Sequence, residues 1–194
     1  HLECFTNELK DPDYYNNPEN RCFACKRELH SHLKKITQEY KKTIILDGLN
    51  HDDLQDHRPG MDAAKEAGVI SPLADLDIGK DSIRIISKAL GLPWWDKPAQ
   101  PCLASRIPYG EKISSQRLKK VMRGEDWLIK KGFNKVRVRS QGLAARIELP
   151  ADEIDYFIKY IKREEVVKYF LSIGFNSISI DLEGLISGKL NRDR

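Results

Sequence analysis

Two stretches, KVRVRS at 135–140 and AARIELP at 144–150, alternate strictly between apolar and polar residues. A period of two predicts strands with one polar face. SISIDLE at 177–183 alternates in the same way and predicts a third strand. A helix is expected over 115–131, with Leu118, Val121, Met122 and Leu128 along one side. A longer helical stretch over 152–173 carries a break near Arg163. Residues 111–194 therefore read as an α+β unit, a small sheet with helices on one face.

The rhythm before Gly110 is different. TIILD at 43–47 is a short apolar run, consistent with a buried parallel strand, and Gly48 ends it. Leu29, Leu33, Ile36 and Tyr40 recur at helical spacing, which predicts a helix over 25–40. Shorter helices are expected at 61–68, closed by Gly68, and at 81–90, with Asp81 as N-cap and Gly91 as the stop. Residues 5–20 and 92–110 are rich in Pro and polar residues and read as irregular chain. Residues 1–110 thus form an α/β unit with a parallel sheet. No internal repeat is present.

Of the 194 residues, 32% are charged, and the net charge is +4. That mild surplus suits a phosphate-handling enzyme as well as anything that binds nucleic acid. No apolar run approaches the roughly 20 residues of a membrane-spanning helix, and no secretory leader is visible, so a cytoplasmic setting is expected. The chain opens on His1 in HLECFTNEL, which suggests residues upstream of it.

Three constellations can carry chemistry. The first is NRCFACK, with Cys22 and Cys25 at the spacing of a redox disulfide, half a zinc site or part of an iron–sulfur cluster. Cys102, in the Pro-locked PCLASRIPYG beside Ser105 and Arg106, supplies a third thiol suited to ligation or catalysis as much as to packing. Three thiolates could hold zinc with His30 or His32 as a fourth ligand, or a 4Fe–4S cluster with one open iron. Solvated positions on the helix are the plainer expectation for both histidines, and Cys4 is taken as structural.

The second constellation is DGLNHDDLQDHRPG at 47–60. Ligands of α/β sheets bind where strands end. Asp47, Asn50, Asp52, Asp53 and Asp56 offer oxygen ligands for Mg²⁺, Gly48 lets a ligand approach the backbone, and Arg58 can meet a phosphate. Helix-capping aspartates in a solvated loop explain the same residues equally well. The third is the basic row Lys135, Arg137 and Arg139, an anion contact at a subunit interface or an ordinary solvated face. Trp94 and Trp95 read as core or interface anchors.

Together, NRCFACK, DGLNHDDLQDHRPG, PCLASRIPYG, KVRVR, RIELP and DLEGLISGKLN resemble, in order and spacing, the LarE family of ATP-dependent sulfur insertases, within the PP-loop ATP-pyrophosphatase superfamily. The resemblance covers almost the whole chain. It implies a partial PP-loop parallel-sheet domain over 1–110 and an oligomerisation and substrate domain over 111–194. It implies adenylation of a carboxylate of pyridinium-3,5-biscarboxylic acid mononucleotide by ATP with Mg²⁺, then sulfur insertion for nickel-pincer nucleotide synthesis. Cys22, Cys25 and Cys102 match the members that hold a 4Fe–4S cluster and take sulfide from an external donor. Asp47, Gly48, Asn50, Asp53 and Arg58 match the nucleotide and substrate side, and Ser105 and Arg106 the substrate phosphate or adenylate. Glu125, Arg137 and Arg139 match positions for metal and phosphate, Glu125 for a divalent cation, near the interface of a homo-oligomer, with a hexamer as one such form. The family's S-G-G-x-D-S phosphate loop has no counterpart here, so this chain is not expected to activate ATP alone. A 4Fe–4S-dependent tRNA thiolase of the same superfamily and a non-catalytic zinc-binding module are the rival readings; the mild charge speaks against nucleic acid.

Overall fold

A computed structural model describes residues 1–40, 43–55, 59–97, 101–186 and 188–189. The chain divides into two units, His1–Ala99 and Gln100–Arg194.

The second unit is built on a three-stranded sheet in the order β1-β2-β3, with β1 Arg137–Gln141, β2 Ala144–Glu148 and β3 Ser177–Ile180. β1 and β2 form an antiparallel hairpin and β3 runs parallel to β2. The parallel pairing requires a crossover. Helices α7 (Ala151–Tyr160) and α8 (Arg163–Ser172) supply it. They separate at Ile161 and Lys162, both extended, so the expected break near Arg163 is present. Helix α6 (Ser115–Lys130) precedes the sheet, and its N-cap Ser114 accepts a hydrogen bond from the Arg117 amide.

Alternation sends Val138, Ala145 and Ile147 to one face, where they meet Leu128 of α6, Ile154 and Phe157 of α7, and Val166 and Phe170 of α8. The helices thus cover one face, and charged residues occupy the other. Phe170 is fully buried at the centre. Gly124 of α6 makes room for it: a Cβ there would lie 3.2 Å from Phe170 Cε1 and 3.4 Å from Val138 Cγ2. Met122, expected on the buried side of α6, is instead 42% exposed. The inward stripe runs through Val121, Gly124, Glu125 and Leu128, one position along from Met122.

Residues 101–110 also pack into this unit. Ile107 is fully buried, and Arg106 is tied to α6. The unit boundary near residue 100 therefore falls earlier than the change of rhythm near Gly110 suggests.

The first unit is mainly helical among the described residues. Its elements are α1 (Pro12–Tyr15), α2 (Arg21–Glu39), α3 (Pro59–Glu66), α4 (Pro72–Asp75) and α5 (Lys80–Ala89). Helix α2 begins four residues earlier than the apolar spacing alone indicates, at the turn that carries Cys22. Its buried positions are Arg21, Ala24 and His30, whereas Tyr40 is exposed. Buried Ala63 and Ala64 of α3 are small enough to let the two helices approach closely.

The run 43–47 does not form a strand. Among the described residues its ladder contact is a parallel bridge, Leu46 to Ile70, closed by Asp47 N–H to Ile70 C=O at 3.1 Å and Ile70 N–H to Ile45 C=O at 3.0 Å. A strand needs neighbours for its backbone groups; among the described residues Ile70 provides one, and Ile44 and Leu46 are exposed. Asp81 is not the N-cap of α5 either. Gly79 holds that position, and the Asp52 carboxylate accepts the Lys80 amide at 2.7 Å.

Two outcomes follow from this packing. Phe170→Ala is expected to lower stability by about 3–5 kcal/mol, read as a reduced urea midpoint at unchanged slope. His30 is 3% exposed, and burial pushes its pKa below the ordinary imidazole range. The lysines Lys26 and Lys34 act in the same sense, against the Ala63 carbonyl and Asp47. A histidine kept neutral by folding stabilises fully above its unfolded pKa of about 6.5, and that contribution fades as pH falls below it. Stability should therefore decline as pH falls below about 6.5, and His30→Gln should flatten that decline in pH-dependent urea titrations.

Candidate functional site

In the first unit, the residues after the Leu46 bridge fold back on themselves. Asp47 Oδ1 accepts from the Ser71 hydroxyl at 2.7 Å and from the Leu49 amide at 3.1 Å. The buried Asn50 donates through Nδ2 to Asp53 Oδ2 at 2.7 Å. Asp53 also meets Lys80 Nζ at 3.0 Å, while Asp52 takes the Lys80 backbone. The helix-capping reading thus accounts for Asp52, and an ion pair engages Asp53. Two features still invite a ligand. Asn50 Oδ1 is a buried acceptor without a hydrogen-bond partner among the described residues. A Cβ on Gly48 would meet nothing within 4 Å, so the backbone there is open to approach. Asp56 and Arg58 lie outside the described residues.

Cys22 and Cys25 occupy neighbouring turns at the start of α2, three residues apart and so on one helix face. Both are half-buried. His30, on the same helix, is buried rather than solvated, and His32 Nε2 lies 3.0 Å from Glu28 Oε1, one turn earlier. Cys4 and Cys102 are free and exposed. Within each unit, among the described residues, no three His, Cys, Asp or Glu side chains group to hold a metal ion. Trp94 is 64% exposed, whereas Trp95 is half-buried with Lys88 Nζ 4.6 Å from its ring centre.

In the second unit the polar face of the sheet gathers the remaining candidates. Arg106 ends the turn Leu103–Arg106 and is almost fully buried. Its Nε and Nη2 donate to Glu125 Oε1 and Oε2 at 2.8 and 3.1 Å. Its Nη1 donates to the carbonyls of Pro101 and Cys102 and to Ser105 Oγ. Ser105 Oγ in turn donates to the Cys102 carbonyl at 2.8 Å. Glu125 Oε1 also accepts the Val138 amide at 2.9 Å. A carboxylate already neutralised by a guanidinium and holding a backbone N–H is a poor ligand for a divalent cation. In this arrangement Glu125 ties the turn to α6 and β1.

Arg139 is bound as completely. Its Nε donates to Glu148 Oε1 at 2.9 Å, its Nη2 forms an ion pair with Glu148 Oε2 at 2.9 Å, and its Nη1 donates to the Ser105 carbonyl at 2.6 Å. Glu148 is fully buried, and sequence reasoning passed over it. The signal was available: alternation in AARIELP places Glu148 on the same polar face as Arg146, opposite a strand with two arginines.

Arg137 differs. It is half-buried and has no hydrogen bond or ion pair among the described residues. Burial lowers its pKa, and the guanidiniums of Arg139 and Arg106 lower it further, against Glu148 and Glu125. A buried-edge cation with spare donors, held among positive neighbours, is an arrangement that an anion relieves. The structure thus joins Cys102, Ser105, Arg106, Glu125, Arg137 and Arg139 in one unit, and joins Cys22, Cys25, Asp47, Gly48, Asn50 and Asp53 in the other. Among the described residues, no helix is long and apolar enough to cross a membrane.

No family model matches the chain. An uncharacterized protein of Synechocystis is 52% identical over 187 residues, 96% of this chain and 70% of the relative. The pyridinium-3,5-bisthiocarboxylic acid mononucleotide synthase of Lactiplantibacillus plantarum is 35% identical over 183 residues, 94% of this chain and 66% of that enzyme. An uncharacterized protein of Methanocaldococcus jannaschii is 36% identical over 175 residues, 90% of this chain and 68% of the relative. The chain therefore spans about two thirds of the length of these relatives. It belongs to the LarE-like family, which includes the Lactiplantibacillus synthase.

Proposed function

We propose that this chain is the larger part of a sulfur-inserting enzyme acting on a pyridinium mononucleotide. The observation that carries the reading is the similarity to the mononucleotide synthase along 94% of the chain. The reaction has two steps. A carboxylate oxygen of pyridinium-3,5-biscarboxylic acid mononucleotide attacks the α-phosphorus of ATP and releases pyrophosphate. Sulfide then attacks the acyl carbon, and AMP leaves with the bonding electron pair, which yields the thiocarboxylate.

Each unit contributes residues suited to part of this chemistry. Asp47, Gly48, Asn50, Asp53 and Arg58 form the nucleotide side, where oxygen ligands suit Mg²⁺ bound to phosphates. The open backbone at Gly48 and the unpartnered Asn50 Oδ1 support that assignment. Arg137 binds the substrate phosphate, since Arg106 and Arg139 are committed to Glu125 and Glu148. Arg106 and Arg139 act by fixing the Cys102–Ser105 backbone.

Cys22, Cys25 and Cys102 have the donor chemistry of a 4Fe–4S site: three cysteine sulfurs, two of them on one helix face. Such a cluster supplies an open iron that can present sulfide from an external donor. A cytoplasmic homo-oligomer formed through the second unit completes the proposal.

Anaerobically purified protein is expected to be brown, with iron and acid-labile sulfide near four each per chain, as a 4Fe–4S cluster requires. Cys102→Ala should lose both. A colourless protein with one zinc would establish the binding-module reading instead. Arg137→Ala should weaken binding of the mononucleotide by roughly 10- to 100-fold in titration calorimetry, the loss of a charge-assisted hydrogen bond to phosphate. Unchanged affinity would remove Arg137 from the site.

A further inference from the structure

Arg139 of β1 and Arg146 of β2 stand directly opposite one another across the hairpin. Like charges in that position repel. Two carboxylates resolve the conflict. Glu148 Oε1 accepts Arg139 Nε at 2.9 Å and Oε2 pairs with Arg139 Nη2 at 2.9 Å, while Arg146 Nη2 reaches the same Oε1 only at 3.4 Å, the long end of a hydrogen bond. Asp181, just past β3, lies 3.3 Å from Arg146 Nε.

Asp181 cannot drift from this position. Its amide donates to the Ile147 carbonyl at 2.9 Å, which joins it to β2. Gly184, with φ +76°, lies so close that a Cβ there would sit 2.8 Å from the Leu149 carbonyl, and the Leu185 amide donates to that same oxygen. Lys189 returns to bind Asp181 at 2.5 Å and Glu183 at 2.7 Å. Burial alone would raise the Asp181 pKa, but Lys189 and the Glu183 amide more than offset it and hold the carboxyl below its usual range. It is therefore charged at neutral pH.

We propose that Asp181 is a positioning residue for the Cys102–Arg106 turn: it holds Arg146 aside, which reserves Glu148 for Arg139, and Arg139 fixes the Ser105 carbonyl. That this turn serves sulfur insertion rests on the function proposed above; the chain of contacts does not. Removing the Asp181 charge frees Arg146 to compete for Glu148, and Arg139 then loosens from both Glu148 and Ser105.

The test follows the Arg139 Nε–H in the ¹⁵N-labelled full chain by NMR, with no ligand added. In Asp181→Asn, which keeps shape and removes charge, solvent exchange of that proton should accelerate roughly ten-fold or more, as when a charge-assisted hydrogen bond is lost. Adding Arg146→Met removes the competitor and should return the exchange to its original rate. Arg146→Met alone should leave it as slow as in the parent chain. A slow Arg139 proton in Asp181→Asn, or a double variant as fast as the single, overturns the proposal. Acceleration by Arg146→Met alone does so too, and this arm remains available should Asp181→Asn unfold. No substrate enters the measurement, so failure of the sulfur-insertion reading would not alter these outcomes, nor would their failure alter that reading.

Discussion

The carboxylate of Glu125 is the joint on which the second unit turns. It projects from α6, holds the guanidinium of Arg106 through both oxygens, and accepts the backbone N–H of Val138. β1 is an edge of the sheet, and the outward N–H groups of an edge strand need partners when they are covered. Glu125 satisfies one of them and brings the cation that neutralises its own charge. Three parts of the chain distant in sequence, the 101–106 turn, α6 and β1, are thereby held in one arrangement. Burying a charge alone would cost several kcal/mol, and a bidentate pair with further hydrogen bonds offsets that cost.

The same logic spreads over the polar face of the sheet. Arg139 with Glu148, and Arg146 between Glu148 and Asp181, pair their charges, and Arg139 also donates to the Ser105 carbonyl. Such pairs contribute less to net stability than to a single geometry, because desolvation consumes much of the Coulomb gain. What they leave over is Arg137. The row Lys135, Arg137 and Arg139 reads as one basic face; the fold commits Arg139 to Glu148 and leaves the Arg137 side chain available. The apolar side of the sheet needs none of this, since Phe170, Ile147 and Leu128 exclude water and fix the face that turns outward.

The first unit depends more on local contacts. Lys80 draws Asp52 to its amide and Asp53 to its ammonium, which folds the acidic loop onto the start of α5. Helix α5 itself has no buried residue, and Ile85 and Leu90 are 69% and 71% exposed. Its apolar positions lack a packed partner among the described residues. The same holds for Ile44 and Leu46 at the lone parallel bridge.

Much of the second unit was legible from residue order. Strict alternation determines strands, because a period of two places every other side chain on one face whatever packs there. The helix start near Ser115 and the interruption near Arg163 were legible from local sequence. Tertiary structure alone decided the rest. Nothing local distinguishes Met122 from Val121, and the α6 stripe is settled by what the sheet presents to it. Asp52 caps a helix that begins 28 residues later, so Asp81 lost that role to a residue no short window could connect. Thr43–Asp47 has the composition of a strand, yet a strand exists only where neighbours accept its hydrogen bonds. Which arginine remains free for an anion was likewise undetermined by sequence, because a guanidinium's availability depends on where the buried carboxylates of Glu125 and Glu148 come to lie.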